Sequence, residues 1–426
     1  MSDRSSNVDL RIRLLRQRRL LAACFFLLLV VGFDLSGQGG KAPQQSDEDF
    51  LRRHWQTPIP LQGNPPEGFS LLEASLDPQM CAACHQAQYE DWRTTIHARS
   101  TGPGVLGQTQ AMVRRDATSA EMCNSCHAPL SEQQEKLRSA SSSDRFVKNL
   151  HFDAKLQSQG LTCAGCHVRG DRRFGPPKRD GSLENSLPPD QAPHAGATRT
   201  AAFERAEFCL GCHQFEEGQP TLNGKLLENT YNEWRSSPYA AQGIQCQHCH
   251  MPDRRHLWRG IHDPEMVKRG VSVQLQLEKP QYQVGEILLA KLVLSNTGVG
   301  HFFPSYVTAK VVLQIQLIDE KGNPIEDTLQ QEAINREATL DLSEEIYDTR
   351  IPPKGAHMFT YLQRVTQKGL RLKATVVVYP DEFYRKFYEA KLTDPLSPTE
   401  KKKLGQALEN TKRSAYTLFE KEVPIS

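Results

Sequence analysis

Ten of the chain's eleven cysteines fall into five copies of one pattern. They are CAACH (Cys81, Cys84, His85), CNSCH (Cys123, Cys126, His127), CAGCH (Cys163, Cys166, His167), CLGCH (Cys209, Cys212, His213) and CQHCH (Cys246, Cys249, His250). Whatever these five copies hold must be folded around. Two cysteines about one helical turn apart can form thioethers to the two vinyl groups on one porphyrin edge. The adjoining histidine then turns under the ring to meet the iron. A structural zinc site wants four ligands in paired half-sites and has no reason to demand a histidine after every second cysteine. A disulfide framework would be equally indifferent to it. The pattern therefore predicts five covalently bound haem c groups, tethered at the ten cysteines, with His85, His127, His167, His213 and His250 as proximal ligands.

Composition fits that expectation. The apolar share of 38% is low for a chain of 426 residues, where roughly 45–50% (counted with glycine) is usual, so part of the core must come from elsewhere. Residues 78–266 are too few to bury five porphyrins in protein alone, and the porphyrins themselves are expected to form much of the interior. Short helices carrying the motifs and long irregular connections should result. The net charge of +2 and the lack of a basic patch give no expectation of a nucleic-acid partner.

The N-terminus carries an address. Arg11, Arg13, Arg16, Arg18 and Arg19 precede the apolar run LLAACFFLLLVVGF, Leu20 to Phe33. That run is shorter than the ~20 residues that usually span a bilayer. Residues 1–33 read as an uncleaved signal anchor or a cleaved signal peptide. Either exports the remainder to the periplasmic side of a bacterial inner membrane, anchored or secreted. LAAC (Leu21 to Cys24) looks like an acylation box but opens the apolar run instead of closing it, so Cys24 reads as a small apolar residue. Residues 34–77, rich in Gln, Gly and Pro, read as a flexible tether.

From Val271 the period changes. VSVQLQLE, LQIQLID and LRLKATVVV alternate apolar and polar residues over short runs separated by turn signals such as DEKGNP (Asp319 to Pro324). Such runs predict an antiparallel β-sandwich, Ig-like, over 267–395. SPTEKKKLGQALENTKRSAYTLF then reads as a helix, with Ser397 as N-cap, Pro398 in the first turn and Glu400 completing a capping box. Leu404, Leu408, Thr411 and Leu418 would be its inner stripe, and 396–426 a C-terminal helix and tail. The fold expected is thus a mainly α, irregular region with short helices over 78–266, followed by the sandwich and the helix.

One segment occurs twice. YEDWRTTIHA (Tyr89 to Ala98) and YNEWRSSPYA (Tyr231 to Ala240) share Tyr-x-x-Trp-Arg, but Tyr239 stands where the first copy has His97. Tyr239 either packs or hydrogen-bonds at a haem edge, or marks an iron that has lost a ligand.

With these motifs placed, CAACHQAQYEDWRTTIHARS, LTCAGCHVRG, FCLGCHQF and CQHCHMPDRRH resemble the multihaem c-type cytochromes related to the tetrahaem cytochrome of ammonia-oxidising bacteria. NTGVGHFFPSYVT (Asn296 to Thr308) resembles a segment that follows the haem region in relatives with a β-domain. The resemblance implies closely packed porphyrins, most irons held between two histidines, and electron transfer with other redox proteins or quinol-linked donors. It also matches His97 to the family's distal histidine and places His194 where relatives often carry a ligand. His256 and His262 follow the fifth motif closely, and His151 and His301 compete for what remains. His54 and His357 read as surface residues, and His248 as pointing away from its own haem. Met80, Met112, Met122, Met251 and Met266 are the alternative distal ligands, of which Met122 and Met251 abut their motifs badly.

The expected function is an electron carrier. A pentahaem nitrite reductase would have lysine in place of one motif histidine, and all five motifs here end in histidine. The alternative is a multihaem oxidoreductase acting on a small nitrogen or sulfur compound at one open haem.

Overall fold

The computed structural model describes residues 46–425, so the signal segment, Cys24 and the first part of the tether lie outside the described residues. No helix among the described residues is long and apolar enough to cross a membrane.

The rest of the tether is not loose. Ser46 caps a helix, α1 (Asp47–His54), whose first turn carries Asp47, Glu48 and Asp49 and whose last carries Arg52 and Arg53. That charge order suits the helix dipole. Phe50 is buried against Ala202 and Phe203, and Ile59 is buried with Leu130, Leu156, Ala164 and Val168. The Gln/Pro/Gly composition pointed to a tether, but a few well-placed apolar residues decide otherwise by packing on the motif-bearing region.

Across 78–266 the chain forms short helices interleaved with small strand pairs. The first motif starts at the last residue of α2 (Pro78–Cys81), and the other four lie at the end of or within α3 (Ala117–His127), α4 (Cys163–His167), α5 (Glu207–His213) and α6 (Cys246–His250). Side chains cap several of them: Asp77 accepts from the amide of Gln79, Asp116 from that of Ser119, and Thr162 from that of Gly165. Strand pairs also appear here, such as Lys136–Ser139 with Ser142–Lys148. The region is a mixture of short helices and antiparallel pairs, not mainly helical.

The alternating runs form the expected strands. They are β1 (Val271–Leu277), β2 (Ile287–Asn296), β3 (Lys310–Ile318), β4 (Gln330–Ile334), β5 (Ala356–Arg364), β6 (Arg371–Tyr379) and β7 (Tyr416–Pro424). One sheet has the order β4-β3-β6-β7 and the other β5-β2-β1, all neighbours antiparallel. Register follows the period-2 pattern: Leu288, Ala290, Leu292 and Leu294 of β2 and Leu372, Ala374, Val376 and Val378 of β6 all point into one core with Leu313, Ile315 and Leu317 of β3. Leu292 is fully buried there. Leu292→Ala is expected to cost about 2–5 kcal/mol, read as a lower denaturant midpoint at unchanged slope.

The C-terminal reading needs correction. The helix begins as expected, with Ser397, Pro398 and Glu400 forming the capping box, but ends at Arg413. Leu418 belongs to β7, pairing beside β6. YTLFEKEV has aromatic and β-branched residues and a free sheet edge to join, and this outweighs the helical spacing. Helix α8 (Pro398–Arg413) packs against α7 (Glu382–Lys391) and against Pro103–Arg115, which leads into the second motif. Gly104 allows that approach, since an added Cβ would collide with the Tyr388 hydroxyl.

Candidate haem sites

The duplicated segment does the same job twice. Trp92 donates its indole N–H to the carbonyl of Leu161 at 2.8 Å, two residues before the third motif. Trp234 donates to the carbonyl of Ile244, also at 2.8 Å and two residues before the fifth motif. Tyr89 and Tyr231 each lie against their tryptophan, at 5.9 and 5.4 Å between ring centroids. Each copy therefore pins the chain that enters a motif.

The motifs cluster. The thiols of Cys81 and Cys163 lie beside each other, as do those of Cys126 and Cys212 and those of Cys209 and Cys246. Helix α2 packs against α4, and α5 against α3. Cys166 lies within electrostatic reach of Cys209 and Cys212. The first motif thus adjoins the third, the third the fourth, and the fourth both the second and the fifth. All ten cysteines are free of disulfides, and Cys84 and Cys249, in the first and fifth motifs, are exposed.

Which ring nitrogen is engaged sorts the histidines. His127, His167, His213 and His250 direct Nδ1 to Ser100 O, Phe174 O, the Tyr306 hydroxyl and Arg259 O, at 2.7, 2.8, 2.6 and 2.7 Å. His194, His256 and His301 direct Nδ1 to the carbonyls of Gly196, Arg254 and Phe302. Seven histidines therefore keep Nε2 for something else. Others do not. His54 Nε2 lies 2.8 Å from Cys166 O, and His262 Nε2 lies 3.0 Å from Asp381. His357 Nε2 meets Glu332, and His248 accepts the Gln245 amide through Nδ1, capping α6.

The histidines with Nε2 free face one another. Ring centroids are 6.2 Å apart for His97 and His213, 6.2 Å for His167 and His256, and 6.4 Å for His250 and His301. Two imidazoles on opposite sides of one metal would stand about this far apart, with each bond ~2 Å long. His194 lies near enough to His85 to oppose its protonation. It is set there by a left-handed backbone (φ 43°) and by its amide bonding Glu73. Burial first, and neighbouring histidines after it, lower His97 to about 3, and burial leads in lowering His213, His167 and His301 to about 4. Neutral imidazole is the form that binds a metal. Residues and geometry fit haem.

Other expectations come out differently. His262, with its Nε2 turned to Asp381, faces none of the motif histidines. His151 is exposed, its amide bonded to Asn149. His54 is buried among Phe50, Phe174, Phe203 and Phe208, not on the surface. Tyr239 donates its hydroxyl to Thr297 O at 2.7 Å, beneath the ammonium of Lys354. No histidine faces His127 among the described residues.

A family model for cytochrome c554 and c-prime matches residues 80–167. Cytochrome c-554 of Nitrosomonas europaea is 24% identical over 155 residues, covering 34% of this chain and 60% of that one. The chain therefore spans less than two thirds of that curated relative. A penta-heme cytochrome c552 from Thermochromatium tepidum superposes with a TM-score of 0.55 at 18% identity, over 83% of this chain and all of that one. Over residues 80–167 the chain is similar to the multihaem c-type cytochromes.

Three residues of the site escaped sequence reading. Tyr306 sits on the Nδ1 of His213. Glu228 Oε2 has no hydrogen-bond partner among the described residues, and burial, then Cys126, holds its carboxyl up at about 8. Burial, then Glu228 and Cys123, holds the Tyr384 phenol up at about 12. NTGVGHFFPSYVT contains Tyr306 without revealing its role, and no local motif marks Glu228 or Tyr384, because each reaches the site from a distant segment.

Proposed function

We propose that the chain is an exported pentahaem electron carrier. In this reading the haems are held at the five Cys-x-x-Cys-His motifs, four of them between His85 and His194, His167 and His256, His213 and His97, and His250 and His301. The observation that carries it is the set of facing imidazoles with Nε2 uncommitted. Bound haem supplies a reversible one-electron couple, and two histidines per iron keep it low-spin and low in potential relative to methionine ligation. The protein's own part is to fix the rings, keep them neutral and exclude water.

The contacts between motifs support a path from the first through the third and fourth to the fifth, with the second as a branch from the fourth. The exposed Cys84 and Cys249 mark the two ends as places where electrons enter and leave, exchanged with other redox proteins or quinol-linked donors. Residues 78–266 form the haem-bearing part of this reading. Residues 267–395, with β7, form an Ig-like sandwich whose first, second and fifth strands face its third, fourth, sixth and seventh. The basic and apolar N-terminus supports export to the periplasmic side of the membrane, anchored or secreted.

A second reading is favoured by one observation. His127 has no facing histidine among the described residues, while Glu228 and Tyr384 lie within electrostatic reach of Cys126 and Cys123 of its motif. An iron open on one side with an acid and a phenol nearby suits a multihaem oxidoreductase acting on a small nitrogen or sulfur compound. The experiment is carbon monoxide titration of the reduced holoprotein with ferric EPR. The carrier proposed here, with four irons between two histidines, gives carbon monoxide binding at no more than one haem. Turnover of nitrite, hydroxylamine or thiosulfate that Glu228→Gln abolishes would establish the oxidoreductase. Binding at two or more haems would overturn the ligand assignment.

A further inference from the structure

The acceptors on the Nδ1 side of the motif histidines are not alike. For His127, His167 and His250 the acceptor is a backbone carbonyl, and for His213 it is the Tyr306 hydroxyl. If Nε2 of His213 is committed to iron, Nδ1 carries the proton and donates it, so the phenol oxygen accepts at 2.6 Å. The rings of His213 and Tyr306 lie nearly parallel, 15° apart. An amide carbonyl is a strong acceptor that gives the imidazole partial imidazolate character and makes it a better donor to ferric iron. A phenol oxygen shares its lone pair with its own ring and accepts less well.

The loop that carries Tyr306 is firmly held. Asn296 receives the Val299 amide at 3.0 Å and donates to the carbonyls of His301 and Ile351. Glu233, from the helix of the second Tyr-x-x-Trp-Arg copy, accepts the Phe302 amide at 3.1 Å. Arg350 donates to Glu233 at 2.9 Å and also to the carbonyl of Ser305, next to Tyr306. The hydroxyl is thus placed by both parts of the molecule.

We propose that Tyr306 is a positioning residue that weakens the donor strength of His213 and raises the potential of the fourth-motif haem above that of the haems whose histidines are backed by carbonyls. This rests on the reading that His213 and His97 ligate one iron. The fourth motif adjoins the second, third and fifth, so a raised potential there makes it the site where electrons from the branches collect. Tyr306 is also the one acceptor of the four that a side-chain substitution can change without moving backbone.

The test is spectroelectrochemical titration of the holoprotein with Tyr306→Phe and Tyr306→Gln, each paired with ferric EPR. Phe removes the acceptor, and one midpoint is expected to rise by about 59 mV, a tenfold change for one electron. Gln offers an amide carbonyl, and a midpoint is expected to fall. All haems keep their spin state in both variants. Midpoints that do not move, or that move in the same direction in both variants, overturn the proposal, because a merely structural role would not give opposite signs. His97→Ala tests the underlying ligation separately: it must convert one low-spin haem to high-spin. If it does not, the ligation reading falls and the proposal falls with it. If it does and the Tyr306 variants are silent, only the proposal falls.

Discussion

Replacing Arg350 with alanine is expected to destabilise the protein by about 3–5 kcal/mol, the usual result of leaving a buried partner uncompensated. Arg350 and Glu233 are 5% and 6% exposed, 2.9 Å apart, and Asp348 completes the group at 2.9 Å on the other side. Removing the guanidinium leaves two carboxylates facing each other away from water. Part of the loss would be felt at a distance, since the same arginine holds Ser305, whose hydroxyl lies 2.8 Å from His301 Nδ1. Denaturant unfolding of the holoprotein measures the first effect, and the growth of a high-spin ferric signal measures the second. Arg350→Lys is expected to recover only part of the stability, because an ammonium cannot reach Glu233, Asp348 and Ser305 together. Unaltered stability in the alanine variant would show that the network is solvated, contrary to its burial.

His301→Ala is expected to have the largest spectroscopic effect of any single substitution outside the motifs. His301 faces His250 at 6.4 Å with the ring planes 11° apart. Its loss should turn one low-spin haem high-spin and let the reduced protein bind carbon monoxide at one more haem than the parent. Haem content should not change, because the thioethers at Cys246 and Cys249 do not depend on it. A free imidazole ligand added to the variant should restore the low-spin signal. An unchanged spectrum would remove His301 from the ligand set.

How much of this was legible in the sequence depends on distance along the chain. The Cys-x-x-Cys-His motifs are local patterns fixed by the chemistry of attachment, and they could be read directly. The strands could be read too, because Leu288 to Leu294 and Leu372 to Val378 alternate over whole elements. The histidines that face the motif histidines are another matter, since they come from segments far from the motifs they face. His97 follows the first motif but faces the histidine of the fourth, and His256 follows the fifth but faces that of the third. Proximity in sequence therefore gave His256 and His262 equal weight, while in the structure His256 faces His167 and His262 turns to Asp381. His54 was misjudged because a polar, Pro-rich segment hid the aromatic pocket it enters. The exchange of His97 for Tyr239 between the repeats also has a physical sense. Tyr239 bonds Thr297 O, and its ring lies within 3.7 Å of where a Cβ on Gly300 would be. The second copy secures the loop that brings a histidine from elsewhere.

That loop has a consequence for the order of assembly. His301 and Tyr306 come from the part of the chain that follows all five motifs, between β2 and β3, and β7 closes the sheet beside β6 only near residue 424. Thioether attachment would need just the local motifs, whereas His301 and Tyr306 reach the fifth and fourth motifs from the sandwich. On the proposed ligation, a chain stopped before β2 would keep its attachment cysteines but lack His301, and would bind carbon monoxide at one more haem than the full chain. On that reading, folding of the segment between β2 and β3 is what completes the fifth site.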